Sequence, residues 1–431
     1  MNGEPRPLLS VISRSFPPQV SGSAIILANL LSQYPGDAQA IAGYSRYTRD
    51  DPMFQPPCPT QDLGLPRRFP RLYEQLRIRF PALVSRSLKG SMGRRLSRRR
   101  GNVVLAAFPY ADFTVAAFLA ARSLQLPFYV HMHDLWSENT DVRTAGARFA
   151  QQWEPVILKG ATRVLCMTEA MQEHYEKKYG IQTELLPHSI QEQNYQQAPT
   201  EICPPRLPHP TVLFVGSVSP PMNLDALQVL AGASELFPPG YQLLYCTPMD
   251  LATLRRLGIS SSRLRARYVS RAEVQRLQSE AHVLVAPLSH KHCSEEEVRT
   301  VFSTKLLEYL VSGRPIVVFA PEGSYHADSA RKRGWGYVVT EDSCEALAAA
   351  IVKVATDTAL AAGLVRNALQ EARNRDARRY AEQLHSWVLA DTQISRPDSG
   401  SNHPFPPARG KSSLIPSPLE GEGEDGGEAA P

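Results

Sequence analysis

Cysteine is scarce and carries no pairing pattern. Six cysteines, at 58, 166, 203, 246, 293 and 344, are spread over 431 residues without a CxxC spacing. That excludes a disulfide-stapled scaffold and a paired-cysteine zinc ribbon, and it implies a reducing compartment. Long apolar runs are missing as well. The most apolar stretch, Val103 to Val130, is broken by Asp112 and Arg122, so no continuous span of about 20 apolar residues is on offer to a bilayer. The opening MNGEPRPLLSVIS has neither the basic leader nor the apolar centre of a secretory signal. These absences give the expectation of a cytoplasmic protein. Self-similarity at solenoid spacing is also absent.

Acidic residues nearly vanish from one segment. Between Arg67 and Arg100 stand twelve Arg or Lys and one acid, Glu74, although the whole chain carries only +5. Phe69, Leu72, Leu76, Ile78, Phe80, Leu83, Val84 and Leu88 are interleaved with the arginines. This composition suits a helical hairpin lying on an anionic membrane, apolar side chains dipping in and arginines on headgroups. A solvated loop is the plain alternative. Nucleic-acid binding is the third reading, but no nucleic-acid-binding fold accompanies the segment, so nucleic acid is not an expected partner.

What is present is alternation. Apolar runs of strand length occur at 8–13, 103–108, 128–133, 163–168 and 184–187, with helical periodicity between them. After the Pro-rich ICPPRLPHP the pattern restarts at 211–216, 241–246, 265–270, 282–287, 314–319 and 337–340. Strand alternating with helix argues for an α/β protein built from right-handed βαβ units and mainly parallel sheets. At this length, two doubly wound Rossmann-like domains are expected, with a cleft between facing strand ends. The boundaries read as 1–200 with the basic insert 67–100, a linker at 201–210, 211–375, and a helix at 376–390 returning to the first domain. The tail 391–431, rich in Pro, Gly, Ser and Glu, is expected to be disordered.

Several segments carry chemistry. VFSTKLLEYLVSGRPIVVFAP (301–321) reads as a buried helix and strand, yet places Lys305 and Glu308 on one helical side. They are a surface ion pair or a ligand site. If Ser303 or Thr304 starts the helix, its first amides and positive dipole suit a diphosphate. FPPQVSGSA (16–24) puts Gly22 and Ser23 at a second helix start. HMHDLW (131–136) puts His133 and Asp134 at a strand end, with Trp136 either a sugar-stacking face or a core anchor. HKHC (290–293) lacks structural-zinc spacing, and no metal is expected.

Taken in order, FPPQVSGSA, HDLW, CMTEAM (166–171), FVGSVSPPMN (214–223) and above all FSTKLLEYLVSGRP resemble the family 4 retaining glycosyltransferases of the GT-B fold, over roughly residues 8 to 390. The resemblance implies transfer of a hexosyl-type sugar, with retention, from a nucleotide-sugar donor to a glycan or lipid-linked acceptor, with no cofactor. It implies that Lys305 contacts the diphosphate, Glu308 the ribose and His133 the transferred sugar. Gly216, Ser217, Ser303 and Thr304 would complete the donor site, Val269 and Ser270 would read the base, and Gly22, Ser23, His133, Asp134 and Trp136 would face the acceptor. The departing phosphate would accept the acceptor's proton, so no protein base is assigned. Two departures stand out: Ser217 and Met222 occupy a loop where the family usually has cations, and Thr300 stands where a further glutamate is common. Arg271 or Arg299 could supply the missing charge. A nucleotide-sugar epimerase on the same fold, or a non-catalytic glycan- or membrane-binding relative, are the alternatives.

Overall fold

The computed structural model describes residues 7–44, 50–64, 69–97, 102–139, 144–191 and 209–394, with positions 193 and 207. Of the expected linker at 201–210 and the tail, almost all lies outside the described residues.

Two parallel sheets form. In the first, β1 (Leu8–Ser13), β2 (Asp37–Ala42), β3 (Thr60–Asp62), β4 (Asn102–Phe108), β5 (Phe128–Met132), β6 (Arg163–Cys166) and β7 (Glu184–Leu185) take the order β3-β2-β1-β4-β5-β6-β7. In the second, β8 (Thr211–Val215), β9 (Gln242–Cys246), β10 (Leu264–Arg267), β11 (Val283–Pro287), β12 (Ile316–Phe319) and β13 (Tyr337–Val339) take the order β10-β9-β8-β11-β12-β13. The order reverses between β1 and β4, and again between β8 and β11. Ligands of doubly wound sheets bind outside the strands' carboxyl ends at such reversals. Central strands such as LLSVIS and TVLFV are buried at every position, because helices cover both faces.

The helices of the first half are α1 (Gly22–Leu31), α2 (Pro70–Arg79), α3 (Pro81–Leu96), α4 (Ala111–Ser123), α5 (Ala145–Gly160) and α6 (Glu169–Tyr179). Those of the second are α7 (Leu224–Glu235), α8 (Leu251–Arg256), α9 (Arg271–Glu280), α10 (Glu295–Thr300), α11 (Thr304–Leu310), α12 (Tyr325–Arg333), α13 (Cys344–Thr356), α14 (Thr358–Asn374) and α15 (Ala377–Ile394). No single helix among the described residues is long and apolar enough to cross a membrane.

The basic segment is a helical pair, α2 and α3. Tyr73, Val84, Leu88, Met92 and Leu96 are buried in the core beside α4. The helix expected to stop at 390 continues to Ile394. Its Ala381, Leu384 and Val388 pack with Leu9, Val11 and Leu27 of the first half, and Asp391, assigned from sequence to the tail, is buried. Asp391 accepts from Arg163 Nε at 2.8 Å and from the Tyr129 hydroxyl at 2.5 Å. A carboxylate satisfied in this way extends the helix beyond where apolar periodicity ends.

Candidate active site in the interdomain cleft

A cavity of about 380 Å³ lies where the two reversals face each other. Ser21, Gly22, Ser23, Pro109 and Tyr110 reach it from the loops after β1 and β4, and His133 and Asp134 from the loop after β5. Ser217, Ser219, Met222, Asn223 and Leu288 reach it from the loops after β8 and β11, and Ser303, Thr304 and Lys305 from the start of α11. The domains meet here: a Cβ placed on Gly22 would sit 3.6 Å from Thr304 Cγ2. The Thr168 hydroxyl donates to the Thr300 carbonyl at 2.9 Å, and Glu169 accepts from Tyr325 at 2.6 Å and pairs with Arg333 at 3.0 Å.

Lys305 sits in the first turn of α11, and its stem lies flat on the backbone of Gly216, where any Cβ would overlap its end. Gly216 has φ +145, open to glycine at little cost. No ion pair or hydrogen bond holds the Lys305 ammonium among the described residues, and burial lowers its pKa, with the Glu308 charge opposing. Glu308 is not a direct partner; it accepts from Gln278 Nε2 at 3.1 Å and lies off the cavity. Lys305 is thus the one lysine or arginine among the described lining residues. Arg299 is exposed, and the side chain of Arg271 lies outside the described residues. The Ser303 amide, expected to face the ligand, donates instead to His326 Nε2 at 3.0 Å.

On the opposite wall a polar chain fixes every proton. His131 Nε2 donates to the Leu186 carbonyl at 2.8 Å. Its Nδ1 must then accept, so His133 Nε2 donates to it at 3.1 Å. His133 Nδ1 in turn accepts from the Ser23 hydroxyl at 3.1 Å. Burial holds both rings neutral, His131 down to about 4 and His133 well below its ordinary value. His133 therefore borders the cavity with both nitrogens engaged, and the direct sugar contact expected of it has no free ring nitrogen.

Asp134 also borders the cavity, its carboxyl pushed up to about 6 by burial. Glu297 on α10 is pushed up to about 7, first by burial and then by the charge of Asp134, against a hydrogen bond from Asn139 at 3.1 Å. Two carboxyls thus approach each other from opposite domains.

Trp136 is not at the site. It is 4% exposed and packs between Phe108 and Phe149, with ring centroids 5.1 and 6.3 Å away. The β4 and α5 side chains that bury it are distant in sequence, so core packing decides the ambiguity that the tryptophan alone left open. Val269 is buried, and Ser270 caps α9 by accepting from the Glu273 amide at 3.3 Å; neither lines the cavity. Sequence reasoning missed Tyr110, His188 and His326, which do. Among the described residues no group of three or more His, Cys, Asp or Glu is arranged to hold a metal ion. In HKHC, His290 tilts over Phe319 and Cys293 donates to the Pro221 carbonyl.

Residues 27–186 match the family profile of the glycosyl transferase 4-like domain, and residues 209–357 that of the glycosyl transferases group 1. No curated protein matches the sequence significantly. Among solved structures, HepE from Anabaena, in complex with UDP and glucose, is 16% identical with a TM-score of 0.62, covering 89% of this chain and 99% of its own. Sucrose-phosphate synthase from Thermosynechococcus elongatus is 17% identical with a TM-score of 0.64, covering 90% and 100%. The UDP-forming α,α-trehalose-phosphate synthase from Burkholderia vietnamiensis is 12% identical with a TM-score of 0.62, covering 89% and 100%. At these identities the likeness to the solved structures is one of fold.

Proposed function

We propose, for a chain that belongs to the group 1 glycosyltransferases of the GT-B fold, that it moves a sugar from a nucleoside-diphosphate donor to a glycan or lipid-linked acceptor with retention. One observation carries this: Lys305 holds an unpaired ammonium in a cavity between two sheet reversals. A desolvated cation with no acid in contact is costly, and a diphosphate supplies that contact. As the bond between the anomeric carbon and the diphosphate oxygen breaks, negative charge grows on the leaving group, and a preorganised cation stabilises it. The acceptor oxygen then bonds the same carbon on the same face and gives its proton to the departing phosphate. Glu308, held by Gln278 off the cavity, is given no part in this reading. This reading needs no metal.

The acceptor is proposed to reach the site from a membrane. Of ten exposed large apolar side chains among the described residues, five fall within α2–α3 and its flank: Phe69, Leu72, Ile78, Phe80 and Leu83. Scattered apolar residues need no explanation, but a cluster does. Exposed Arg71, Arg79 and Arg86 flank it, matching an anionic lipid surface. The pair is fastened to the acceptor half of the cleft. Glu74 bonds the Arg14 guanidinium and Tyr73 bonds Asp112, and Arg14 lies 5.8 Å from the ring of the cavity residue Tyr110. A chain docked there would sit at a cytoplasmic membrane face.

Thermal denaturation with UDP-, GDP- and CMP-containing ligands tests the donor reading. UDP and UDP-glucose come first, since HepE structures contain them. The expected result is a rise in melting temperature with one nucleoside diphosphate, and turnover of its sugar conjugate. The uncharged Ser217 and Met222 favour a second reading, a non-catalytic relative; no response to any nucleotide, with liposome binding retained, selects it.

A further inference from the structure

We infer that His188 is a sugar-reading residue of this site, hydrogen-bonding a hydroxyl of the transferred sugar. The inference rests on the nucleotide-sugar reading above and adds a residue to it. His188 is 3% exposed and borders the cavity, yet neither ring nitrogen has a hydrogen-bond partner. Burial holds the ring neutral, opposed last and least by the Phe302 backbone, whose approach falls short of hydrogen-bond geometry. A buried polar group left unmade costs about 1–3 kcal/mol, and two on one ring are an uncommon concentration of that cost.

The segment around it cannot swing to relieve the deficit. The Leu186 amide donates to the Cys166 carbonyl at 2.8 Å, and the Ser189 carbonyl accepts from Asn29 Nδ2 at 2.9 Å. The Ile190 amide donates to the Arg375 carbonyl at 2.8 Å, and its own carbonyl accepts from the Ala377 amide at 2.7 Å. The ring is also wedged edge-on between His133, 5.9 Å away, and Phe302, 6.3 Å away. Partners must therefore come from the cavity.

Chemistry selects the partner. A neutral imidazole presents one donor and one acceptor, and an alcohol satisfies both. A phosphate oxygen only accepts, and would leave the bare nitrogen unmet. Position selects which alcohol. Phe302 and Lys305 line the same cavity, the diphosphate rests on Lys305 in the proposed reading, and the group bonded to that diphosphate is the transferred sugar. The neighbouring His133, whose nitrogens are both spent on Ser23 and His131, cannot play this part.

The test uses the full chain, with His188→Phe and His188→Asn. Calorimetry compares affinity for the nucleoside diphosphate that stabilises the wild type and for its sugar conjugate, alongside sugar-nucleotide hydrolysis without acceptor. In His188→Phe, which keeps a flat ring, affinity for the conjugate should fall about tenfold while that for the bare diphosphate holds. His188→Asn, with a donor and an acceptor, should recover part of the loss. An equal loss for both ligands would place His188 on the nucleotide or in a purely structural role, and would overturn the inference. So would unchanged affinity for the conjugate. A wild type that binds no nucleoside diphosphate would instead sink the nucleotide-sugar reading itself.

Discussion

In Lys305→Met the side chain keeps its length and loses its charge. Without ligand, Lys305 is a half-buried cation with no acid in contact, lowered in pKa by burial. Removing that charge should stabilise the empty protein by on the order of 1 kcal/mol, raising the melting temperature of a lobe this size by about 2–4 °C. With ligand the sign reverses. A charge-assisted bond to phosphate contributes about 1.5–3 kcal/mol, so affinity should drop roughly thirtyfold. A diphosphate at a hundred times the wild-type Kd stabilises by about 2.7 kcal/mol; the same concentration should stabilise the variant by about 0.9 kcal/mol. Turnover should fall about 100- to 1,000-fold. Paired thermal melts, with and without the nucleoside diphosphate, read both effects. A variant that keeps the full ligand shift, or that melts several degrees lower when empty, would show Lys305 to be a structural cation and refute the reasoning.

Gly216→Ala should mimic that loss from the other side, because its methyl would occupy the end of Lys305 and φ +145 is strained for alanine. A cost of about 1–3 kcal/mol in denaturation, together with weakened nucleotide binding, is expected. Glu297→Gln tests the facing carboxyls. Since the folded-state carboxyl is raised from 4.5 to about 7, the native state holds its proton more tightly, and stability falls as pH rises between those values. The variant should match wild type at pH 5 and exceed it by on the order of 1 kcal/mol at pH 8, and equal pH profiles would count against the pairing. Ile78→Asp with Leu83→Asp, both 61% exposed, should leave stability within about 1 kcal/mol but abolish flotation with vesicles containing phosphatidylserine. Retained flotation would move the docking surface elsewhere.

Much of the fold was legible because strands buried on both faces print as unbroken apolar runs. LLSVIS and TVLFV need no context. β2, DAQAIA, was not legible: of its buried positions only Ile41 carries a strand signal, and the three-residue β3 carries less. The site was partly legible for a topological reason. Gly22, Ser23, His133, Asp134, Ser217, Ser303, Thr304 and Lys305 all follow closely on strands or start helices, and parallel sheets gather those positions at one end. What the sequence could not show was who already holds whom. His133 is spent on Ser23 and His131, Trp136 is enclosed by Phe108 and Phe149, and the Ser303 amide is taken by His326. His188 matters for the opposite reason, a want of partners that exists only in three dimensions.

The last helix, Ala377–Ile394, completes the outer face of the first sheet, where Leu384 and Val388 meet Leu27 and Leu30. During synthesis, the amino-terminal lobe therefore emerges with an open flank that stays wet until residues 377–394 have left the ribosome. In the carboxyl-terminal lobe, one apolar cluster draws on nothing before Val212 while the other is continuous with side chains of the first half, so neither lobe finishes burying its apolar surface without the other.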